Sequence, residues 1–516
     1  VTGPTVQALL AASFRRHRGD PCLLWEGGEA TFGETAGRVT GVASWIAGHV
    51  GDLRHVAIVL PNGRAYIESI LACTLASAVR IPLSAREPLE LIAAKLTESS
   101  AEVLIATSEI VAALEGWIRD TGCPAVAVGE GALPPGALAS FEQLAAAAAS
   151  PVPLSGTESD RYRLSFTGGT TGVPKAVVQT HRQERALIRN LLLEVVQPGP
   201  ASTFVAATPL SHAAGAFVLP AVLAGGSVSW LEHFDPARLT DASWLGETAA
   251  ARTVETFVVP TAMADLVSAA ARSHDLHTVV YGGAPCPAPV LSAALDRLGD
   301  QALVQVYGQA EAPMTICVAS RADHSAGLVT DGWVGHPFMF VEVSVGTSEE
   351  SGDQVGELIV RAEHVMEGYW RRPEETAGCL GADGALRTGD VGRIESDGSV
   401  RIVGRVREML ISGGFNVYPD DVERRLRQAG LNDVPISVFG IAHPRWGEAV
   451  VLAAACPPDT AAATRERVRA AADEALAYYE RPKEIFIVSD LPLTPVGKVA
   501  RQTLASRFSS AFAGHE

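Results

Sequence analysis

Residues 164–181 read LSFTGGTTGVPKAVVQTH, a run of hydroxyl residues and glycines closed by Lys175. Thr167, Gly168, Gly169, Thr170, Thr171 and Gly172 offer hydroxyls and unobstructed backbone N–H groups, and Lys175 adds an ammonium. That set suits a polyphosphate, because glycines let the backbone approach anionic oxygens and the ammonium neutralises the charge of a departing group. The spacing is not that of a Walker loop, since Val173 and Pro174 separate Gly172 from Lys175 and no Ser or Thr follows the lysine. A flexible linker would share this composition. Lysine, however, occurs only at Lys95, Lys175, Lys483 and Lys498 in a chain that otherwise uses arginine. A lysine kept against that bias supplies a compact point charge that a planar guanidinium does not replace.

Four other places carry residue types fit for chemistry. In QVYGQAE, Tyr307 is an aromatic plane at the end of an apolar stretch, with Gln305 before it and Glu311 just after; a core tyrosine and a surface glutamate are the plain alternative. In RTGD, Asp390 follows a Thr-Gly turn, where a carboxylate can accept two vicinal hydroxyls or simply end a strand. Lys498 sits in the Pro- and Gly-containing segment PLTPVGKVA. His212, in PLSHAAG, is either a reactive imidazole or an ordinary loop histidine.

The elements that must position these residues follow from hydrophobic periodicity. The first fifty residues predict a helix, a strand, a turn at Gly27-Gly28, a strand and a second helix. HVAIVL, a turn at Pro61-Asn62-Gly63, a helix and a further strand then give the alternation of a parallel sheet covered on both faces. The pattern recurs through AEVLIATSE, PAVAVGE, STFVAATPL, GSVSWL, ETFVVPT, LHTVVYGG and ALVQVYG. Short strands follow over residues 341–403, with turns at Gly384 and Asp397-Gly398, and a compact α+β segment closes the sequence. The expected fold class is α/β: a large N-terminal domain of stacked βαβ-type sheets with a small β-barrel-like part, residues 1–404, and a small mobile α+β domain, residues 405–516.

Composition narrows the function classes. A net charge of −17 without a basic run argues against a nucleic-acid partner, so anionic ligands have to be held locally. Seven cysteines without C-x-x-C spacing read as small buried hydrophobes in a reducing compartment. No apolar run approaches the ~20 residues of a membrane span, and no basic-then-apolar leader opens the sequence, so a cytoplasmic protein is expected.

Taken in order, the polyphosphate loop, TPLSHAAG, YGGAPCP, VYGQAEAP, GYWRRPEET, LRTGDVGRIESDGSVRIVGRVREMLISGGFNVYPDDVERRL and PLTPVGKVARQTL resemble the adenylate-forming superfamily over nearly the whole chain. This is the superfamily of acyl- and aryl-CoA synthetases, carrier-loading adenylation domains and luciferases. The resemblance implies that Tyr307 stacks on adenine against a wall of Gly283, Ala284 and Pro285. It further implies that Gln305 meets the adenine amino group, that Asp390 and Arg405 grip the ribose, and that Glu311 holds Mg²⁺ together with phosphate oxygens. Lys498 becomes the catalytic lysine, bridging the carboxylate nucleophile and the α-phosphate. His212 stands between acyl pocket and thiol tunnel. Arg407 marks the hinge by which the small domain presents two faces in turn. The acid pocket is expected around His212, Ala213, Ala214, Gly215, Gly283, Tyr307, Gly308, Gln309, Ala312 and Gly335, with room for an aryl or medium acyl chain.

Two departures from the superfamily pattern matter. Ala310 stands where relatives usually carry Thr, which removes a hydroxyl donor to the adenylate phosphate. SHAAGAF lacks the Asp that pairs with an α-ammonium in amino-acid-activating relatives, and an ammonium buried without a partner is costly, so a substrate lacking that amine is expected. The implied activity is a two-step ligase. A small-molecule carboxylic acid and ATP give acyl-AMP and pyrophosphate, and the thiol of CoA, or of a phosphopantetheine carrier, captures the acyl group. The sequence ends soon after Lys498, so a carrier is expected to be a separate protein. The alternatives are capture by a non-thiol nucleophile, activation of another oxyacid, or a non-catalytic scaffold. The scaffold is disfavoured by the joint presence of Lys175, Glu311, Asp390, Arg405 and Lys498.

Overall fold

The computed structural model describes residues 3–149, 152–167, 174–246, 252–269, 276–330, 332–346, 355–492 and 499–512. Its opening shows how local sequence sets the elements. Thr5 caps the helix Val6–Arg16, accepting from Ala8 N at 3.2 Å, and Arg15 and Arg16 sit in the last turn, where the helix dipole favours cations. Strands Pro21–Trp25 and Gly28–Thr31 form an antiparallel hairpin, and Trp25 faces Gly28 across a turn in which Gly27 has φ +78°. Thr31 and Glu34 then close a capping box on the helix Phe32–His49.

The chain separates into two compact units. The first comprises Val1–Ser344, Ile359–Arg387 and Gly398–Val400; the second comprises Val345–Leu358, Thr388–Asp397 and Arg401–Glu516.

Two sheets organise the first unit. In one, the strands His55–Leu60, Val79–Ser84, Val103–Thr107, Ala125–Val128 and Ala137–Ser140 are parallel. Arg161–Phe166, Ala176–Thr180 and Gly368–Tyr369 extend this sheet beyond Val79–Ser84. In the other, Trp333–Pro337, Ala312–Ala319, Leu303–Gln309, Leu276–Gly282, Thr253–Val258, Ser202–Ala206, Ser227–Trp230, Pro21–Trp25 and Gly28–Thr31 are neighbours in that order. The five strands from Leu303–Gln309 to Ser227–Trp230 run parallel. Every residue of HVAIVL is buried, as expected for a strand covered on both faces.

The second unit is built on the strands Phe415–Val417, Leu410–Ser412, Gly447–Ala455 and Ile436–His443, with Glu484–Val488 parallel beside Gly447–Ala455. Pro419–Leu426, Ala461–Ala475 and Arg501–Phe512 are its main helices. The short strands Val341–Gly346, Val355–Ala362, Leu386–Ile394 and Val400–Arg405 are neighbours in that order. Among the described residues, no helix is long and apolar enough to cross a membrane.

Candidate active site

The Gly/Thr loop connects the two strands of a hairpin. Arg161–Phe166 and Ala176–Thr180 pair antiparallel with Phe166 opposite Ala176, and Thr167 N donates to the Lys175 carbonyl at 2.9 Å, so the loop's ends are tied together. Gly168, Gly169, Thr170, Thr171 and Gly172 lie outside the described residues. Gly368–Tyr369 pairs with the other edge of Ala176–Thr180, placing Tyr369 opposite Val177. Two interactions result from that register. Lys175 Nζ lies 5.0 Å over the Tyr369 ring, and Tyr369 Oη donates to Glu311 Oε1 at 2.6 Å. Burial, then the neighbouring Glu311 carboxylate, raises the phenol pKa well above its ordinary range, so Tyr369 remains a donor. The tyrosine thus joins the lysine and the carboxylate that the sequence singled out separately. Its own signal was the GYW of GYWRRPEET, to which no role had been attached.

Glu311 is held at the tip of another hairpin. Gln309 pairs with Ala312, which leaves Ala310 and Glu311 as a two-residue turn, and the Glu311 carbonyl accepts from Met366 N at 2.8 Å. Backbone packing accounts for two glycines expected in the acid pocket. A Cβ on Gly308 would stand 2.3 Å from Met314 N, and one on Gly335, with φ +88°, 1.9 Å from the Val318 carbonyl oxygen. Ala312 is fully buried beside them.

Leu303–Gln309 and Leu276–Gly282 are adjacent and parallel, so Gln309 and the exposed segment Gly283, Ala284, Pro285 emerge at the same end of the sheet. Ligands of open α/β sheets bind outside such carboxyl ends. Gln305 and Tyr307, two residues apart, share one face of the strand and are both half-buried.

The loop carrying His212 leaves the carboxyl end of the parallel strand Ser202–Ala206. Asn62 fixes it: its Nδ2 lies 3.0 Å from the Thr208 and Leu231 carbonyls and 3.3 Å from that of Ala206, and its Oδ1 accepts from Leu210 N at 2.8 Å. The sequence had marked Asn62 only as a turn residue. His212 Nδ1 is 2.9 Å from Ser211 Oγ, and Ala213, Ala214 and Gly215 lie in the 3₁₀ turn Ala213–Phe217 that follows. The imidazole still touches water although many atoms crowd it, so its dehydration is partial. That dehydration lowers its pKa; the Glu87 carboxylate opposes the shift and the Lys95 ammonium adds to it. A recess of about 200 Å³ adjoins Ser211, lined also by Pro61, Arg86, Pro209, Phe234 and Asp265. None of the residues expected to hold the acid borders it.

In the second unit, Arg405 Nε lies 3.1 Å from Asp390 Oδ1. The carboxylate is 6% exposed and the guanidinium side chain 56%, so the pair offers a buried acceptor with a cation facing solvent. Asp390 does not follow a turn, as the sequence suggested, but lies inside the strand Leu386–Ile394, where Gly389 takes φ +72°; Asp390 N donates to Thr388 Oγ1 at 3.1 Å, and Gly389 N to Glu357 Oε1 at 3.0 Å. Arg407 occupies the exposed 3₁₀ turn Val406–Glu408 between two strands. Lys498 lies outside the described residues. Shortly after it, Arg501 pairs with Glu423 at 2.8 Å and also with Glu408 and Asp420, fastening the last helix to Pro419–Leu426.

Among the described residues no group of three or more His, Cys, Asp or Glu gathers as a metal cage. Glu311, a single hard carboxylate beside a tyrosine donor, fits magnesium, which takes one or two protein carboxylates and completes its shell with water and substrate phosphate.

Residues 10–370 match the AMP-binding enzyme family, and residues 434–498 match the AMP-binding enzyme C-terminal domain. The chain is 35% identical to feruloyl-CoA synthases of Amycolatopsis sp and Streptomyces sp, over 97% of this chain and 99% of theirs. Among solved structures it is similar to the amide bond synthetase McbA from Marinactinospora thermotolerans. That likeness has a TM-score of 0.81 at 26% identity, covering 98% of this chain and all of the other. The chain belongs to the AMP-binding enzyme family, the adenylate-forming superfamily whose motifs its sequence carries.

Proposed function

We propose that this protein is an ATP-dependent acid–thiol ligase that adenylates an aryl carboxylic acid and transfers the acyl group to CoA. The observation that carries the reading is the convergence of Lys175, Tyr369 and Glu311. A cation and a carboxylate fixed by one tyrosine suit a nucleotide polyphosphate with its counter-ion. Magnesium, held by Glu311 and the phosphate oxygens, would supply charge neutralisation there. Lys175 and the loop, Thr167 to Gly172, would bind the phosphates. Tyr307 would stack on adenine opposite Gly283, Ala284 and Pro285, with Gln305 at its amino edge, and Asp390 would accept the ribose hydroxyls beside Arg405. Lys498 would bring the acid and the α-phosphate together. His212, with Ala213, Gly215, Gly308, Gln309, Ala312 and Gly335, would line the path of acid and thiol. A small domain, residues 405–516, would turn about Arg407 between the half-reactions, and its exposed turn is suited to absorb a change of φ and ψ. The similarity to feruloyl-CoA synthases over the full chain supports a substituted aryl acid, and we place the reaction in the cytoplasm.

A second reading has its own support. The likeness to an amide bond synthetase, together with Ala310 in place of the usual threonine, favours capture of the same adenylate by an amine. A free-standing carrier protein is a further acceptor. The test is pyrophosphate release with ATP across aryl, aliphatic and amino acids, run alone, with CoA and with an amine. Aryl-dependent release accelerated by CoA with thioester formation is expected. Amide formation without thioester would establish the second reading, and no acid-dependent release would refute both.

A further inference from the structure

Behind Gln305 lies a buried hydrogen-bond chain that no motif announced. Tyr281 faces Gln305 across adjacent parallel strands and is fully buried. Its Oη lies 3.1 Å from Gln305 Oε1 and 2.9 Å from His324 Nε2. His324, itself 3% exposed, has Nδ1 2.7 Å from the Ser320 carbonyl, and Ser320 caps the short helix that carries the histidine.

Counting hydrogens along this chain leaves one arrangement. A carbonyl oxygen only accepts, so His324 Nδ1 carries a hydrogen. Burial lowers the imidazole pKa, against the opposing pull of the Ser320 carbonyl and of Asp323 and Asp300, so the ring is neutral and Nε2 is a bare acceptor. The single hydroxyl hydrogen of Tyr281 therefore goes to His324. An amide oxygen of Gln305 facing Tyr281 would compete for that same hydrogen, with two lone pairs left opposed. The two ends of an amide have nearly the same shape, and the hydrogen-bond network decides between them. The structure sets Oε1 against Tyr281 Oη, but the hydrogen count favours the turned amide, with the Gln305 NH₂ against Tyr281 Oη and the carbonyl toward the half-exposed face shared with Tyr307.

We infer that Ser320, His324 and Tyr281 form a relay that fixes the Gln305 amide with its oxygen outward, making the site selective for 6-amino over 6-oxo purine nucleotides. An outward carbonyl accepts from the 6-amino group of ATP and repels the 6-oxygen of ITP. The inference rests on the nucleotide reading of Tyr307 given above. Tyr281 and His324 act through Gln305 and are positioning residues.

The test compares kcat/KM for ATP and ITP, two nucleotides that differ only in the purine base, using pyrophosphate release with ferulate. The wild-type protein is expected to favour ATP by at least about a hundredfold, as sites built to pair a polar group reject analogues lacking it. Tyr281→Phe keeps the ring but frees the amide to turn, and the ATP/ITP ratio is expected to fall at least fivefold. In His324→Leu the tyrosine hydrogen is released to Gln305, whose NH₂ then faces the purine, so ITP should gain outright. A merely structural role would lower both nucleotides alike. If Gln305→Leu leaves the ratio unchanged, Gln305 does not touch the purine and the underlying nucleotide placement fails, taking the relay with it. If Gln305→Leu collapses the ratio while both Tyr281→Phe and His324→Leu preserve it, the relay is refuted and the nucleotide placement stands.

Discussion

Replacing Tyr369 by phenylalanine removes one hydroxyl and keeps the ring that Lys175 covers. The lost contact is an O–H···O⁻ bond of 2.6 Å, in the short range of charge-assisted bonds. Hydrogen bonds to charged groups contribute about 1.5–3 kcal/mol net, and Glu311 is only partly buried, so water recovers part of it. The lower half of that range corresponds to roughly 10- to 40-fold in kcat/KM at about 1.4 kcal/mol per decade. The loss should be largest at low Mg²⁺ and shrink as Mg²⁺ is raised, since what is lost is the aim of the carboxylate assigned to the metal. Tyr369→Leu also removes the aromatic face under Lys175, a cation–π contact worth about 0.5–1 kcal/mol, and should cost a further two- to fivefold that Mg²⁺ does not restore. Pyrophosphate exchange across a Mg²⁺ titration separates the two effects. A phenylalanine variant within twofold of wild type at every Mg²⁺ concentration would refute the idea that Tyr369 holds Glu311 for catalysis.

Three further outcomes follow from named groups. Asp390→Ala, which removes the buried acceptor beside Arg405, should raise the KM for ATP at least about tenfold and leave the ranking of acids unchanged; an altered ranking at constant ATP affinity would overturn the ribose assignment. Lys498→Ala should depress adenylate formation by about 10²–10³-fold while thioester formation from supplied acyl-AMP suffers far less, and equal loss in both half-reactions would refute the catalytic role. His181 and His364 are buried with pKa values pushed down to about 4, chiefly by loss of hydration. Both are neutral in folded and unfolded chains above the unfolded value of about 6.5, so stability is unaffected there and falls as pH drops from about 6.5 toward 4, by about 2 kcal/mol per histidine at pH 5. Thermal unfolding followed from pH 8 to pH 5 should show that loss, and His364→Phe should remove about half of it; an unchanged acid slope in the variant would show that His364 is not one of the groups responsible.

Local and periodic features were legible directly in the residues. The strand HVAIVL and the hairpin around Gly27 follow from hydrophobic period and turn residues, which act over a few neighbouring residues. The family was legible for a related reason: its residues fall into short motifs whose order can be read along the chain. Tertiary structure decided which of those motifs touch. Strand pairing across the sheet, and not proximity in sequence, brings Tyr369 between Lys175 and Glu311, and a period-2 pattern does not say which strand lies beside which. The same holds for Asn62, a turn residue in the sequence that ties the loop of His212 through four backbone contacts. Gly308 and Gly335 read as small pocket residues in the sequence, and the structure shows a backbone too close for any Cβ. The orientation of the Gln305 amide is the most distant from the sequence, because it depends on hydrogen-bond directions set by Ser320 and His324 of a short helix and Tyr281 of a neighbouring strand, and those directions are fixed only once the elements are packed.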